Sequence, residues 1–310
     1  MAQFRLEAKQ ALTERISAFT LAPLCADAPT WKAGAHIDVD LGDLGTRSYS
    51  LIRWPDSTNE ILQIAVQAEP DGTGGSQAMH ALEVGTELTI SHPKNSFELQ
   101  NTEKPVALIA GGIGVTPLIS MATQLLAENA PFGFHYTGRS RSVMAYVDEL
   151  AETIGERLSV YTDDADPIDL SALLKGKSEQ TVYICGPKGM IDAARNAASD
   201  AGIANDDIHV ELFTTPDAQD GDVAFEVELG STGEVVTVGA GVTIIEALEE
   251  AGHDVLYDCQ RGDCGICQVD VLVGTPDHRD VVLSDDEKAS GKVMQICVSR
   301  AKSARLVLDI

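Results

Sequence analysis

The chain has 310 residues, 44% of them hydrophobic, which is enough for two or three domains that each bury a core. Its 48 acidic and 22 basic residues give a net charge of −26, which argues against nucleic acid or an anionic membrane as a partner, because phosphate surfaces are bound by lysine and arginine. No run of about 18 apolar residues and no apolar N-terminal segment is present, so we expect no membrane span, no signal peptide and a cytoplasmic location.

Residues 1–103 have the pattern of a β-rich domain. Several stretches alternate apolar and polar residues, and Gly, Pro, Asp and Asn separate one stretch from the next. Short strands at this spacing are typical of a small barrel or sandwich, and we predict a β-barrel. The alternating stretches are 36–41, 48–53, 61–66 and 87–92.

Two motifs in this domain suggest a site for a phosphorylated ligand. The segment RSYSL places a cation, an aromatic ring and two hydroxyls on one strand, and the segment DGTGGSQAMHAL is a glycine-rich turn that opens a short helix with Ser76 as its N-cap. Backbone N–H groups at such a helix start attract anions. A GGS segment alone is more often an ordinary loop, but the two motifs together predict a cradle for a phosphorylated flavin. The residues of RSYSL concerned are Arg47, Ser48, Tyr49 and Ser50.

Residues 104–213 alternate strands and helices, which is typical of a doubly wound parallel sheet. The turn GGIGVTP, after the first strand, leads into a helix with Thr116 as its N-cap and Pro117 in its first position. A later helix is expected over 190–202. The expected strands are 105–112, 132–137, 158–163 and 181–186.

The ends of two of these strands carry residues suited to a nucleotide. In doubly wound sheets, ligands bind in the crevice beyond the carboxyl ends of the strands. Gly111, Gly112 and Gly114 follow one strand, and Cys-Gly-Pro at 185–187 ends another. One glycine-rich turn is a weak signal by itself, but a second strand end at the position expected across the same crevice strengthens the prediction.

The last part of the chain follows a segment rich in Pro, Gly and Asp, residues 214–222, which we interpret as a linker. Residues 223–310 open with a hairpin pattern, and Thr243 and Glu246 then form a capping box at the start of a helix. A cysteine-rich loop and two strands complete the order of a β-grasp ferredoxin. The predicted fold is therefore multidomain, with a β-barrel, an α/β doubly wound domain and a C-terminal β-grasp domain.

Four cysteines follow the C-x4-C-x2-C…C spacing of plant-type ferredoxins, which hold a 2Fe–2S cluster on four thiolates. Gly262 and Gly265 allow the loop backbone to wrap closely around the sulfurs. A structural zinc site is the alternative, but zinc ligands usually come as two C-x2-C pairs. The two other cysteines, Cys25 and Cys185, fit a compartment in which thiols stay reduced. The predicted cluster ligands are Cys259, Cys264, Cys267 and Cys297.

The acidity is strong in the C-terminal part. From residue 221 onward the chain has 17 Asp and Glu against 7 Lys and Arg. One interpretation is a negative face that steers the protein toward a basic redox partner. The other is solubility, or adaptation of the host to salt, and the composition does not separate the two.

With these motifs in this order, the whole chain resembles the phthalate dioxygenase reductase family, particularly its vanillate O-demethylase reductase branch. The order of flavin domain, nicotinamide domain and C-terminal ferredoxin separates this family from relatives with an N-terminal ferredoxin, which generally use FAD. The stretches that carry the resemblance are RSYSL, GGSQAMH, AGGIGVTPLISM, YICGPKGM, CQRGDCGIC and DHRDVVLSDDEK.

The resemblance implies FMN as the flavin and a nicotinamide coenzyme at the strand ends. Arg47 would meet the FMN phosphate, and Phe213 matches a family aromatic near the flavin. The other implied flavin residues are Ser48, Tyr49, Ser50, Gly75 and Ser76. The implied nicotinamide residues are Gly112, Gly114, Thr116, Cys185, Gly186 and Pro187.

The segment YTGRSRS departs from a strictly NADH-selective pattern. It offers Arg139, Ser140 and Arg141 where such a site often has an acidic group for the ribose 2′-OH. A basic pocket tolerates a 2′-phosphate. NADH is expected from the family, and NADPH is the alternative.

The implied activity is that of an NAD(P)H-dependent flavin and iron–sulfur oxidoreductase. Electrons would pass from NADH through FMN and the 2Fe–2S cluster to a Rieske-type oxygenase or demethylase component. Because hydride transfer needs no general acid or base, no catalytic side chain is assigned. The alternative function, a stand-alone NAD(P)H:acceptor reductase without a dedicated oxygenase, shares every motif.

Overall fold

The computed structural model describes the chain apart from residues 26–28, 59, 102 and 215–220. Most of the predicted linker, 214–222, therefore lies outside the described residues. Among the helices that are described, none is long and apolar enough to cross a membrane.

The described chain divides into two compact units, Met1–His209 and Val210–Ile310. The first unit contains both the barrel and most of the doubly wound sheet. The second contains the cysteine-rich loop. The boundary predicted between barrel and sheet, at residues 103 and 104, lies inside the first unit and stays a prediction.

The first unit opens with six antiparallel strands, β1 (Ala2–Ala11), β2 (Ile16–Pro23), β3 (His36–Asp40), β4 (Thr46–Ser50), β5 (Leu62–Gln67) and β6 (Glu87–Ile90), and with helix α1 (Gly75–Ala81). Their order in the sheet is β4-β3-β6-β1-β2-β5. Ile52, just beyond β4, donates its N–H to the carbonyl of Gln63 in β5 at 2.8 Å. This bond joins the two edges of the sheet and closes the barrel.

The barrel interior is filled by side chains that alternate along the strands, because successive residues of a strand face opposite sides of the sheet. In β1 the buried residues are Phe4 and Leu6, at 1% and 0% exposure, with exposed neighbours between and around them. Phe19 and Leu21 of β2 repeat the pattern at 0%.

A five-stranded sheet follows, built from β7 (Val106–Gly111), β8 (Phe132–Gly138), β9 (Leu158–Thr162), β10 (Thr181–Cys185) and β11 (Ile208–Glu211), with helices α2 (Val115–Ala127), α3 (Val147–Ile154), α4 (Leu170–Leu174) and α5 (Lys188–Asp200). The strand order is β11-β10-β7-β8-β9, and β10, β7, β8 and β9 pair in parallel. The strand order therefore reverses between β7 and β10. In doubly wound sheets this switch point is where ligands bind.

The start of helix α2 differs from the sequence-based prediction. Helix α2 is preceded by Gly114 as its N-cap, so that Thr116 and Pro117 are its second and third residues. The Thr116 hydroxyl instead donates to the Ile113 carbonyl at 3.0 Å. The prediction of Thr116 as N-cap is wrong because the preceding turn, Gly112–Gly114, is already a 3₁₀ helix that runs directly into α2.

Four other 3₁₀ turns connect elements of the first unit, at Gly42–Leu44, Arg141–Val143, Gly155–Arg157 and Asn205–Asp207. Helix α5 begins two residues before the predicted 190–202. Its N-cap is Pro187, directly after the end of β10.

The second unit contains β12 (Phe225–Leu229), β13 (Val235–Val238), α6 (Ile244–Glu250), β14 (Gln268–Val273), β15 (Pro276–Asp277), α7 (Asp285–Ser290), β16 (Val293–Gln295), β17 (Arg300–Ala301) and β18 (Arg305–Leu308). Five strands form a mixed sheet in the order β13-β12-β18-β14-β16, with β12 and β18 parallel. The capping box at Thr243 is confirmed, since its hydroxyl accepts from Glu246 N–H at 3.1 Å and the Glu246 carboxylate accepts from Thr243 N–H at 2.8 Å.

Candidate cofactor sites

Arg47, at the second position of β4, lies against the glycine-rich turn. Its guanidinium donates to the Thr73 hydroxyl at 2.7 Å and to the Thr46 carbonyl at 2.8 Å. A Cβ on Gly75 would come within 2.6 Å of Arg47 Nε, so a side chain there would displace Arg47 from its present position. Among the described residues no carboxylate pairs with Arg47. A cation without an ionic partner, held at a glycine-rich turn, fits a phosphate.

The hydroxyls of the RSYSL strand divide between two environments. Ser48 is exposed and donates to Asp38 at 2.6 Å, and Asp38 also accepts from Lys94 at 2.8 Å. Burial opposes ionisation of Asp38, but these hydrogen bonds prevail and its pKa lies below the usual value. Ser50 is buried, and burial raises the pKa of Tyr49 to about 12. Tyr49 is therefore a neutral phenol packed against the barrel core, and Ser48 is the hydroxyl of the strand that faces solvent.

Ser76 has a different role from the predicted one. Helix α1 starts at Gly75 and its N-cap is Gly74, whose φ of +90° favours glycine. The Ser76 hydroxyl accepts the N–H of Glu69 at 3.0 Å. The prediction of Ser76 as N-cap is wrong, because the helix begins two residues earlier than the hydroxyl-based pattern suggested.

At the switch point, the turns after β7 and β10 approach each other closely. A Cβ on Gly114 would lie 2.3 Å from the Cys185 carbonyl oxygen, and one on Gly186 would lie 2.9 Å from the Gly111 Cα. A Cβ on Gly111 would also lie 2.7 Å from Pro187 Cδ, so Pro187 packs directly against this turn. Glycine at these positions lets the two turns pack in direct backbone contact, whereas a Cβ on Gly112 would meet nothing within 4 Å, so the backbone is open there, at the place where a dinucleotide binds in such sheets.

Further predicted nicotinamide residues surround this crevice. Gly112 has a φ of +55°, and its carbonyl accepts from the Tyr136 hydroxyl at 3.1 Å. Cys185 is completely buried, so it acts as a small packed residue. Arg139 is exposed and has no ion pair among the described residues, whereas Arg141 pairs with Asp148 at 2.6 Å.

The four predicted cluster ligands lie together in the second unit. The Cys259 sulfur is within hydrogen-bonding range of the Cys264 and Cys297 sulfurs, and Cys267 is within range of Cys297. Hydrogen bonds from Cys264 and Cys297 lower the pKa of Cys259, and the same contacts raise the pKa values of Cys264 and Cys297, so the sulfurs lie close enough to titrate as a group. The described residues contain no three-residue group suited to a single metal ion. A 2Fe–2S cluster has two irons to share four thiolates, so sulfurs in neighbouring pairs fit it.

The cluster loop, residues 259–267, is held in place by the segment before α7, residues 280–283, which we call the first brace of the loop. A Cβ on Gly262 would lie 3.1 Å from the Asp280 Cα, and the Gly262 carbonyl accepts from Val281 N–H at 2.9 Å. The buried Asp280 carboxylate accepts from Leu283 N–H at 2.8 Å, and Lys288 donates to the Asp280 carbonyl at 2.8 Å. This arrangement fixes the shape of the loop between the first two cysteines.

A second brace of the cluster loop was not apparent from the sequence. Asp263 accepts the N–H of Leu212 at 2.7 Å and lies 3.6 Å from Arg261. Burial raises the pKa of Glu211, also close to Arg261, to about 8. These residues lie about fifty positions apart, and no local pattern links them. Phe213, the predicted flavin aromatic, follows this brace and is 38% exposed.

The second unit resembles a known family of iron–sulfur domains. Residues 227–302 match the family model of the 2Fe-2S iron-sulfur cluster binding domain. The chain is 41% identical to the phenoxybenzoate dioxygenase subunit beta of Ectopseudomonas oleovorans, over 90% of this chain and 87% of that protein. It is 39% identical to a vanillate O-demethylase oxidoreductase of a Pseudomonas species, over 91% of both chains.

Among solved structures, phthalate dioxygenase reductase matches 99% of this chain and 97% of its own, with 33% identity and a TM-score of 0.70. The chain belongs to the phthalate dioxygenase reductase family. The predicted three-part fold is confirmed, with a flavin-type barrel, a nucleotide-binding sheet and a C-terminal 2Fe–2S domain. As a member of this family the chain is an electron-transferring oxidoreductase. The individual flavin and nicotinamide contacts stay predictions.

Proposed function

We propose that the chain is the reductase component of a Rieske-type oxygenase system and carries electrons from NADH through FMN and the 2Fe–2S cluster. The observation that carries the proposal is the presence, in one chain, of Arg47 at a glycine-rich turn, closely packed glycine turns at a sheet switch point, and four grouped cysteines. Two relatives with this organisation are named as parts of a dioxygenase and an O-demethylase.

Each group of residues has one physical task in this scheme. Arg47 holds a phosphate at the barrel, where the turn at Gly75 leaves it room. The glycines at the ends of β7 and β10 let a dinucleotide lie against bare backbone. Bound flavin and cluster together supply the conversion of a two-electron donor into single-electron steps. The protein contributes orientation and charge, and no side chain has to move a proton.

The identity of the flavin is tested by denaturing the purified protein and separating the released flavin by chromatography. We expect about one FMN per chain and no FAD, because the chain has the domain order, with a C-terminal 2Fe–2S domain, that the family resemblance links to FMN. Recovery of stoichiometric FAD would overturn this assignment while leaving the electron path open.

The role of Arg47 is tested by Arg47→Gln. Removal of a charge-assisted phosphate contact should weaken FMN binding about tenfold or more, measured by fluorescence titration of the flavin-free protein. Arg5→Gln is the matched control, since Arg5 is an exposed barrel arginine paired with Glu87 at 3.7 Å. Equal FMN affinity in the two variants would remove Arg47 from the phosphate site.

The coenzyme is proposed to be NADH, with Arg139 as the residue that sets tolerance of NADPH. Arg139 has no ion pair among the described residues, while Arg141 is already paired with Asp148. Arg139→Ala should lower kcat/KM for NADPH much more than for NADH. Equal losses for both coenzymes would show that Arg139 does not contact the 2′ group.

The oxygenase partner is tested by reconstitution with a purified Rieske-type oxygenase. Coupled product formation that requires NADH and an intact cluster supports the proposal. Rapid dye reduction without any coupled turnover, across Rieske oxygenases that act on aromatic acids and on amines, would favour a stand-alone NAD(P)H:acceptor reductase.

A further inference from the structure

A groove in the first unit contains both tryptophans of the chain. It has a volume of about 510 Å³ and runs between the barrel and the second half of helix α2. We call it the tryptophan groove; its main lining residues are Trp31, Arg53, Trp54, Ser120, Gln124 and Leu126. None of the residues predicted to bind flavin or nicotinamide lines it.

The main chain of Arg53 is held firmly at the edge of this groove. Its N–H donates to the Ser120 hydroxyl at 2.9 Å, and its carbonyl accepts from the Thr123 hydroxyl at 2.8 Å. Ser120 also donates to the Leu51 carbonyl at 2.7 Å. The segment after β4 is therefore hydrogen-bonded to α2, and the position of the Arg53 main chain is fixed.

The Arg53 guanidinium lies over an aromatic ring and has no acidic partner among the described residues. Its Cζ is 4.0 Å from the centroid of the Trp31 ring, a cation–π contact. Among the described residues no carboxylate pairs with it, although the chain has 48 acidic residues and 22 basic ones. Burial lowers the pKa of Arg53, which indicates incomplete solvation of the charge. A half-buried cation in this setting attracts an anion.

The remaining walls of the groove are apolar or already hydrogen-bonded. Trp54 packs against Tyr146, with ring centroids 5.6 Å apart, and Leu126 and Ala33 add aliphatic surface. The side-chain amide of Gln124 donates to Glu128 at 2.9 Å. Arg53 is thus the one charged residue lining the groove in the described chain, and its surroundings are aromatic and aliphatic.

We propose that the tryptophan groove binds an aromatic carboxylate. The carboxylate would pair with the planar guanidinium of Arg53, which presents parallel N–H donors, and the ring would stack on Trp54 beside the aliphatic wall. Small-molecule sites have this composition and volumes of roughly 300–1,000 Å³, so one or two rings fit. A single cation among apolar walls favours an organic monoanion over inorganic phosphate.

The test uses the full-length protein with its bound cofactors and 2-naphthoate as the probe. Because both tryptophans line the groove, ¹⁵N-tryptophan labelling gives two indole N–H signals that report on it alone. We expect both signals to shift in a saturable way with 2-naphthoate. The neutral 2-naphthamide should bind about tenfold more weakly or worse, since it lacks the charge.

Arg53→Gln removes the charge and keeps the length of the side chain, and it should weaken 2-naphthoate binding by about tenfold or more in calorimetry. Arg53→Lys keeps the charge without the planar fork and should give an intermediate loss. Arg157→Gln is the matched control, because Arg157 also lies over an aromatic ring, at 5.5 Å from Phe132, but outside the groove.

Three results would overturn the proposal: unchanged indole signals at saturating 2-naphthoate, equal affinity for the acid and the amide, or equal affinity in Arg53→Gln and Arg157→Gln. Should Arg53→Gln lose its fold, the comparison of acid with amide on the unaltered protein and the Arg53→Lys variant still decide the question. The test does not depend on the oxygenase partner or on turnover.

Discussion

At Gly262 the cluster loop passes so close to its neighbours that a side chain has no room. The residue has a φ of +82°, and an added Cβ would lie 2.6 Å from Val298 Cγ2 and 3.1 Å from the Asp280 Cα. Backbone strain and overlap act together, so we expect Gly262→Ala to lower the free energy of unfolding of the second unit by about 2–4 kcal/mol. Iron and sulfide content per chain should fall with it.

Gly265→Ala provides the control for this prediction. Gly265 has a φ of +77°, nearly the same, but its added Cβ would meet only Val282 Cγ1, at 3.3 Å. In this variant the free energy of unfolding should fall by about 1–2 kcal/mol, because the left-handed backbone disfavours alanine but the added methyl group overlaps little with its neighbours. Thermal unfolding of both variants measures the difference, and equal losses would mean that the approach to Asp280 is unimportant.

His135 gives the first unit a dependence on pH. Burial in strand β8 lowers its pKa to about 4, from a value near 6.5 in the unfolded chain. Between these values the unfolded chain binds the proton and the folded protein does not, so stability falls as pH decreases through this window. Between about pH 6.5 and pH 4, the free energy of unfolding of His135→Gln should therefore fall by roughly 2 kcal/mol less than that of the unaltered protein.

The measurement is the free energy of unfolding of the first unit, from denaturant titrations at several pH values. His92→Gln serves as the control, because His92 is exposed on the barrel. A pH profile in which the two variants coincide would show that His135 does not contribute to acid sensitivity.

At the scale of elements, Arg300 links the turn at 239–242 of the second unit to the segment before β12. It is 7% exposed and donates to the carbonyls of Val242 and Gly239 at 2.8 Å and of Val223 at 3.1 Å. Arg300→Gln leaves these carbonyls without their donor, so unfolding free energy should drop by about 3 kcal/mol, measured by denaturant titration. Arg305→Gln removes exposed pairs with Glu226 and Glu228 and should change stability little; a comparable loss there would contradict the account.

The starts of the helices show when a local sequence pattern is enough to predict an N-cap and when it is not. The capping box at Thr243 was predicted correctly because both of its hydrogen bonds lie within four residues. The caps predicted at Thr116 and Ser76 were wrong because glycines precede them, and a glycine adopts the N-cap conformation without a side-chain bond. Hydroxyl spacing alone therefore misplaces a helix start after a glycine-rich turn.

The succession of most strands along the chain and the grouping of the four cysteines could also be predicted, since hydrophobic periodicity and cysteine spacing are local signals. Contacts between distant segments could not. The stacking of Arg53 on Trp31 and the bond from Leu212 to Asp263 depend on how strands meet in space. The tryptophan groove and the second brace of the cluster loop therefore emerge only from the folded chain.

For the whole molecule, the division into units suggests that the two stages of electron transfer can be separated. A truncated chain ending at Asp217 retains the first unit, with its barrel and switch point. It should bind flavin, be reduced by NADH and reduce small dyes at close to the full rate. It should not support an oxygenase, because the cluster is absent. Coupled turnover by the truncated chain at the full rate would contradict the electron path.

The acidity of the second unit makes a separate prediction about docking. With 17 acidic and 7 basic residues after position 220, this unit should attract a basic partner over a distance that salt shortens, from about 10 Å at 0.1 M to about 3 Å at 1 M. Turnover coupled to the oxygenase should therefore fall severalfold over this range, while dye reduction changes little. Asp254→Asn, near the cluster loop, should weaken coupling more than Asp200→Asn in the first unit. If the rate of coupled turnover responds neither to salt nor to Asp254→Asn, the acidic residues do not steer docking and serve solubility instead.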